Sequence, residues 1–284
     1  RDDFSLLVLG DSRPLTAILP RGLPGRAVNL ALEGASTIEP LFLFRRYLER
    51  HPPPDTVIYS VSPIRFLRDE YFWENTAKAR ALGLNDLLEI QREADALHDS
   101  DFTGWSFQSC SSCATLRILA TWAGLPFLFQ HNLEYASLFL RGAENRELES
   151  AQIRDLGYLA ASSAPSMVSR PGREANHSEF KPSPVLSRQF DEFLRLAASK
   201  NVRSYFIYLP TNPASAASIS SDFKDGFRAF LEIREKKFPL FRVIGSFRIL
   251  APAYFADQDH LNREGAELIT GELAKALRPG GSNP

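Results

Sequence analysis

The sequence predicts an α/β protein built around a central parallel sheet. Three features of the chain point to this fold class. Short apolar runs alternate with helical patterns over the first sixty residues, the segments that connect them are short, and the alternation returns after residue 184. Because a β-α-β crossover is right-handed in nearly all proteins, this order predicts parallel strands with helices on both faces of the sheet.

Five segments have the composition of buried strands. The first is an apolar run from Phe4 to Leu9 that ends abruptly in Gly10-Asp11-Ser12, which is typical of a strand buried on both faces. All five are rich in aliphatic, β-branched or aromatic residues, and they comprise residues 4–9, 26–30, 56–61, 202–209 and 241–244.

Helical patterns separate these strands. Residues 38–50 form the first, and residues 186–197 form the clearest, with an apolar stripe that should dock on the sheet. Two further helices are expected at residues 223–238 and 264–277. Asn262 is well suited to cap the last of them.

Residues 65–184 interrupt the alternation of strands and helices. Strand-like runs largely disappear, and helical patterns follow one another at residues 85–97, 116–123 and 147–161. The Pro- and Ser-rich stretch 162–184 is expected to be a long, mobile loop. We therefore predict one domain over residues 1–284 with a helical insertion at about 65–184, where substrate selectivity would reside.

The charge balance argues against two classes of partner. With a net charge of −1 and a pI of about 6.6, the chain has no overall field that would attract nucleic acid or anionic lipid. It contains no apolar stretch of 18 residues, so neither a membrane span nor a signal peptide is expected within it. We expect a monomer.

Ser12 follows the first predicted strand, at the edge of the sheet where α/β proteins place their ligands. Gly10 would permit a sharp turn there, and the hydroxyl of Ser12 would be presented as a nucleophile. The alternative is ordinary turn chemistry, because Gly, Asp and Ser are all common in loops. Asp11 is expected to be structural.

Asp257 and His260 form an Asp-x-x-His pattern near the other end of the chain. Residues three apart in a turn lie on one side, so this carboxylate and this imidazole can face the same cleft. A serine nucleophile needs a base, and the base needs a third group that fixes its tautomer. We expect Ser12, His260 and Asp257 to converge as a catalytic triad, with Asp259 as a solvated or helix-terminal carboxylate.

The blocks Gly10-Asp11-Ser12 and Asp257-Gln258-Asp259-His260 resemble the first and last blocks of the SGNH (GDSL-like) hydrolases. The resemblance runs in order over nearly the whole chain and implies a three-layer α/β/α, flavodoxin-like fold with Ser12, His260 and Asp257 as the triad. Residues 29–36, Asn-Leu-Ala-Leu-Glu-Gly-Ala-Ser, resemble the second block of one branch. That branch acts in bacterial envelope polysaccharide O-acetylation and teichoic-acid D-alanylation.

The resemblance also implies an oxyanion hole made by the backbone amides of Ser12 and Gly34. The third block of the family normally adds an asparagine, but residues 57–63 contain none. Ser62 is the candidate to take its place, because a hydroxyl can donate one hydrogen bond. Because the oxyanion hole would lack the family's asparagine donor, this departure is expected to weaken catalysis and bears on whether the chain catalyses at all.

The function implied by the resemblance is that of a serine esterase or O-acyltransferase. It would remove or add O-acetyl groups on a carbohydrate, such as an envelope or secreted polysaccharide, with no cofactor and no metal. A periplasmic or extracytoplasmic location, a membrane anchor in a segment absent from this chain, and a membrane acyl-donor protein as partner are also implied. The alternative is a catalytically weak or inactive module that binds glycan or scaffolds an acylation complex.

Two side chains are candidates for substrate binding. Arg13 follows the nucleophile and could bind an acidic sugar or an anionic acyl donor. Tyr254 lies just before the triad aspartate and could stack on a sugar ring. We expect an open groove beside Ser12 whose rim includes these two residues with Pro14, residues 71–73 and Phe255; core packing is the alternative for the aromatic side chains.

The cysteines and the histidines other than His260 are expected to have structural roles. Cys110 and Cys113 could form a redox pair, a local disulfide or half of a zinc site, but no second pair completes four zinc ligands. Two small structural cysteines, buried or oxidised, are therefore expected. The four other histidines have no companion at ligand spacing, although His177 could approach the cleft if its loop folds over it; they are at positions 51, 98, 131 and 177.

Overall fold

A computed structural model describes residues 3–67, 72, 76, 82–99, 142–161, 164, 167–172 and 177–278. At its centre lie five parallel strands in the order β2-β1-β3-β4-β5. The strands are β1 (Leu6–Gly10), β2 (Ala27–Asn29), β3 (Thr56–Ser60), β4 (Arg203–Ile207) and β5 (Phe241–Ile244). The predicted α/β class, the parallel sheet and its flavodoxin-like order are confirmed.

Helices follow each of the five strands in the described residues. They are α1 (Ser12–Ala17), α2 (Ile38–Arg50), α3 (Leu84–Ala96), α4 (Gly142–Arg154), α5 (Pro184–Ser199), α6 (Pro213–Ser218), α7 (Ser221–Lys237) and α8 (Arg263–Ala276). Helices α1 and α6 were not predicted, because six residues are too few to show a helical period. None of the helices in the described part of the chain has the length and apolar character needed to cross a membrane.

Different helices cover the two faces of the sheet. Successive strand side chains point to opposite faces, so Leu7 and Leu9 pack in one cluster with α2, α5 and α7. Leu6 and Val8 pack in the other cluster, with α1 and α8. Strand β1 is buried along its whole length, which explains why its sequence is continuously apolar.

The described part of the insertion packs against α2 and α5. Its buried residues Phe72, Leu87 and Ile90 share one cluster with Phe42 of α2 and Leu186 of α5. In the described residues the apolar core of the insertion is therefore continuous with these two helices of the main body.

One helix boundary in the insertion was predicted wrongly. A helix was expected to run to residue 161, but α4 ends at Arg154, and Leu156 and Gly157 adopt left-handed conformations with φ of 55° and 95°. The backbone N–H of Asn29 donates to the Leu156 carbonyl at 2.8 Å. The chain thus leaves the helix to pair with the edge strand β2, a tertiary contact that local periodicity does not encode.

The stretch 162–184 was expected to be a free loop, yet its described residues are tied to the C-terminal part of the chain. The N–H of Ala164 donates to the Ala256 carbonyl at 2.7 Å, and the N–H of Gly172 donates to Ser215 Oγ at 2.7 Å. The predicted helix 116–123, both cysteines and His131 lie outside the described residues.

Gly10 is the residue most constrained by the fold around the first motif. Its φ is +151°, and an added Cβ would lie 1.7 Å from the Ser60 carbonyl oxygen and 2.7 Å from Pro14 Cγ. We expect Gly10→Ala to reduce the free energy of unfolding by roughly 3 kcal/mol or more, because it combines backbone strain with a clash against β3. Urea denaturation of both proteins measures this difference; the matched change Gly271→Ala, in an exposed helix interior where a Cβ meets nothing within 4 Å, should instead raise the free energy of unfolding by up to about 1 kcal/mol.

Candidate active site

Ser12 lies where strand β1 gives way to helix α1. Gly10 is the last residue of β1, and Asp11 caps the helix by accepting the Arg13 N–H on its side chain at 3.0 Å. Ser12 is therefore the first residue of α1. Its backbone N–H belongs to the first helical turn, where amides have no acceptor within the helix, so it can donate to a bound group.

The structure brings Ser12, His260 and Asp257 together in the predicted order. His260 Nε2 lies 2.8 Å from Ser12 Oγ, and His260 Nδ1 lies 2.8 Å from Asp257 Oδ2. The other carboxylate oxygen, Asp257 Oδ1, accepts the backbone N–H groups of Asp259 and His260, both at 2.8 Å. This turn fixes the Asp257 carboxylate, which in turn orients the imidazole toward the hydroxyl.

Electrostatics at these three residues favours a charged imidazole. Partial burial opposes ionisation of Asp257, but hydrogen bonds from the His260 ring and from two backbone N–H groups lower the pKa of this carboxyl overall. Burial likewise opposes protonation of His260, yet the hydrogen bond and charge of Asp257, with the charges of Asp259 and Asp11, raise the pKa of His260 above its usual value. The imidazole is thus suited to accept a proton.

A pH dependence follows from the raised pKa of His260. Only the neutral imidazole can accept the Ser12 proton, so acyl transfer should increase as the pH rises through the pKa of His260. Because that pKa is raised, the midpoint of the acid limb should lie above 6.5, the usual value for histidine. The pH profile of kcat/KM for p-nitrophenyl acetate measures the midpoint; a midpoint below 6.5 would contradict the electrostatic argument.

Asp11 connects the nucleophile turn to the loop after β3. Its Oδ2 accepts the Ser62 N–H at 2.8 Å, and the guanidinium of Arg65 lies 4.0 Å from the same oxygen. Asp11 is buried, in agreement with its expected structural role. The backbone amide of Ser62 is therefore committed to Asp11, and an oxyanion-hole role for Ser62 depends on its hydroxyl and stays a prediction.

Gly34, the second predicted oxyanion donor, lies in the turn after β2. The N–H of Leu32 donates to the Gly10 carbonyl at 3.0 Å, which holds this turn against the end of β1. Gly34 adopts a left-handed conformation with φ of 73°. The turn therefore adjoins the nucleophile strand, and donation from the Gly34 amide to an oxyanion stays a prediction.

The two predicted substrate-binding residues occupy different environments. Nη2 of Arg13 donates to the carbonyls of Leu209 and Pro210 at 3.1 and 2.8 Å, so part of the guanidinium ties α1 to the end of β4. Tyr254 is partly buried against the apolar cluster that covers the α1 and α8 side of the sheet. Their contacts with substrate stay predictions.

Three of the candidate rim residues are buried. Pro14 is buried in α1, Phe72 is fully buried in the insertion, and Phe255 is buried two residues before Asp257. The alternative of core packing holds for the two aromatic residues, because Phe72 and Phe255 each belong to an apolar cluster. Tyr71 and Trp73 lie outside the described residues.

Asn212 supports the site, although the sequence analysis did not identify it as a site residue. It is buried at the start of α6, where its Oδ1 accepts the Ser215 N–H, and its Nδ2 donates to the carbonyls of Gln258 at 2.7 Å and Arg170 at 3.0 Å. The Asn-Pro pair before a helix was a readable capping signal. The bond to the Gln258 carbonyl holds this turn against the loop of Asp257 and His260.

Asn29 was predicted only as part of the second sequence block. Its Nδ2 donates to the carbonyls of Pro14 and Ile18 at 2.9 and 3.1 Å, and its Oδ1 accepts the Ala31 N–H. It therefore holds the C-terminal end of α1 next to the loop that carries Gly34. The only sequence signal for this role is an asparagine at the end of an apolar run that predicts a strand.

The other described histidines lie in structural settings. His51 stacks on Tyr47, His98 is exposed at the end of α3, and His177 stacks on Phe223 of α7. The ring of His177 is thus engaged with α7 in this structure. Among the described residues, no group of three or more His, Cys, Asp or Glu side chains could hold a metal ion.

No family model matches the sequence, and no curated protein matches it. Membership of the SGNH hydrolases therefore stays a hypothesis drawn from the sequence blocks.

Proposed function

We propose that this chain is an SGNH-type serine enzyme that transfers or hydrolyses O-acyl groups. The observation that carries the proposal is the continuous set of contacts from Ser12 Oγ through His260 to Asp257, with both connecting distances at 2.8 Å. A hydroxyl, a base and an orienting carboxylate in this order are the parts that acyl transfer through a covalent serine ester requires.

The first half-reaction forms an acyl-enzyme. Ser12 Oγ attacks the ester carbonyl carbon while His260 Nε2 accepts the hydroxyl proton, and Asp257 stabilises the resulting imidazolium. The negative charge on the former carbonyl oxygen is met by the backbone amides of Ser12 and Gly34, with the Ser62 hydroxyl as a third donor. Collapse of this intermediate expels the alcohol, which takes the proton from His260 and leaves acyl-Ser12.

The second half-reaction decides between esterase and transferase. Either water or a sugar hydroxyl gives its proton to His260 and attacks the acyl carbon, and Ser12 leaves and regains that proton. The resemblance of residues 29–36 to an envelope-modifying branch favours acetyl groups and a carbohydrate acceptor or donor. A membrane acyl-donor protein and an extracytoplasmic location belong to the same proposal.

A non-catalytic function is the second candidate, and one observation favours it. The family asparagine is absent after β3, and the amide of its stand-in, Ser62, already donates to Asp11. With one fewer fixed donor, the oxyanion would be less stabilised, since loss of a single donor typically costs roughly 10²- to 10³-fold in rate. The chain would then bind glycan or scaffold an acylation complex.

The deciding experiment offers acetylated and deacetylated oligosaccharides to the protein and follows acetate by mass spectrometry. Transfer to a sugar supports the transferase, and release of free acetate alone supports the esterase. Binding without turnover supports the second candidate. The proposed function would be overturned if the protein neither bound nor turned over any member of a broad glycan panel and also failed to hydrolyse p-nitrophenyl acetate.

A further inference from the structure

Asp259 occupies an unexpected position beside the triad. It was predicted as a solvated or helix-terminal carboxylate, which is wrong: the residue is partly buried in the loop between Asp257 and His260. Its backbone N–H and that of His260 converge on the same oxygen, Asp257 Oδ1. Asp259 thus belongs to the tight turn that holds the base.

The carboxylate of Asp259 lies against Gly172, the last residue of the segment 167–172, which we call the strap. A Cβ placed on Gly172 would lie 2.0 Å from Asp259 Oδ1 and 3.2 Å from Ser215 Oγ, so any larger residue would force the carboxylate to move from this position. The strap is held there by hydrogen bonds from Gly172 N–H to Ser215 Oγ and from Asn212 Nδ2 to the Arg170 carbonyl. The absence of a side chain at position 172 therefore shapes a site for this carboxylate.

The charged groups near His260 lie on several elements. Asp257 and Asp259 lie in its own loop, Asp11 lies at the end of β1, and Arg13 lies in α1. Arg65, from the turn after β3, lies 4.0 Å from Asp11 and offsets part of that charge. The strap contributes Arg170, whose side chain is exposed, and residues 210–215 contribute no charge. Among these carboxylates, Asp259 is the one with no role in orienting the ring or capping α1.

We propose that Asp259 is a positioning residue for the proposed acyl transfer, a second carboxylate that the strap holds beside His260 to stabilise its protonated form. The proposal rests on the proposed function for its catalytic meaning. Its physical content is separate: the charge of Asp259 should be felt by the imidazole whether or not the chain turns over a substrate.

The ionisation of Asp259 determines how its removal should affect stability. Burial raises the pKa of this carboxyl, while the positive charges of Arg13 and His260 oppose the rise. A carboxyl with a raised pKa disfavours the folded state at pH values above its ordinary pKa, because ionisation is harder in the folded chain. At neutral pH, removal of this charge should therefore not lower the thermal stability of the fold.

The test titrates His260 directly by NMR in the full chain and in Asp259→Asn. The ring signal of His260 is assigned from its absence in His260→Gln. We expect the titration midpoint of His260 to move to lower pH in Asp259→Asn, and Tm at neutral pH to stay equal or rise. Asp225→Asn, which removes the same charge from an exposed site on α7, should leave the midpoint unchanged.

A second variant tests the strap. Gly172→Ala must displace the Asp259 carboxylate, so it should move the His260 midpoint in the same direction, and the double variant should add little to Asp259→Asn alone. An unchanged midpoint in Asp259→Asn, or a lowered Tm without a shift, would overturn the proposal and leave Asp259 merely structural. If Asp259→Asn shifted the His260 midpoint but the unaltered chain had no esterase activity, only the proposed function would be overturned.

The pH profile of p-nitrophenyl acetate hydrolysis gives a kinetic readout of the same effect. The acid limb of kcat/KM in Asp259→Asn should move to lower pH together with the NMR midpoint. A profile that keeps its midpoint while its height falls would indicate loss of geometry rather than of charge, and would contradict the proposed role.

Discussion

Replacement of Ser12 by alanine should reduce kcat/KM for p-nitrophenyl acetate by roughly four to six orders of magnitude, because it removes the atom that forms the acyl bond. Ser12 Oγ makes the contact with His260 Nε2, and the loss of one hydroxyl at the start of a short helix leaves the backbone of α1 and its Asp11 cap intact. We therefore expect an unchanged circular dichroism spectrum and a Tm close to that of the unaltered chain.

A serine-directed fluorophosphonate gives an independent measurement. Mass spectrometry should find one adduct on Ser12 in the unaltered chain and no adduct in Ser12→Ala. The matched control is Ser218→Ala, at the end of α6, where the hydroxyl donates only to the Ala214 carbonyl. Full activity in Ser12→Ala, or labelling of another serine with equal speed, would exclude Ser12 as the nucleophile.

The convergence of Ser12 with His260 was predictable because parallel strands share one edge at their carboxyl ends. Ser12 follows β1, and the loop of Asp257 and His260 lies after the last strand, so both reach the same side of the sheet. The distances of 2.8 Å confirm that expectation about position. Catalysis by these groups stays a prediction.

The environment of Asp259 could not be predicted from its local sequence. A carboxylate in a turn before a helix is usually solvated, and nothing within residues 257–262 marks it as covered. Asp259 lies against Gly172, whose N–H donates to Ser215 Oγ, and Asn212 Nδ2 donates to the nearby Arg170 carbonyl. Such contacts depend on the path of a long loop, and composition alone suggested only that this loop would be free.

The role of Ser62 shows a similar limit for the third sequence block. Its position after β3 was predictable from the strand pattern, and so was its ability to donate a hydrogen bond. The acceptor of its backbone amide was not, since Asp11 reaches it only because β1 and β3 pair with Gly10 opposite Ser60. Local sequence therefore identified Ser62 as a hydrogen-bond donor, whereas the register of β1 and β3 determines that its backbone amide donates to Asp11.

Replacement of Asp257 by asparagine should reduce kcat/KM by about 10⁴-fold, through the tautomer of His260 rather than through loss of the fold. The side-chain oxygen of the introduced asparagine would still accept the N–H groups of Asp259 and His260, so its amide nitrogen would face His260 Nδ1. That nitrogen donates, so Nδ1 must accept and the ring proton moves to Nε2. A protonated Nε2 cannot take the proton of Ser12.

Asp259→Asn is the matched control for this change, because it makes the same isosteric replacement two residues away in the same turn. We expect it to shift the acid limb of the pH profile but to retain most of the activity at the optimum, since the bond between His260 and Asp257 is untouched. Steady-state kinetics of both variants at several pH values separates the two roles. If Asp257→Asn kept more than about a tenth of the activity, the imidazole would not depend on Asp257 for its tautomer, and another group would have to orient the base.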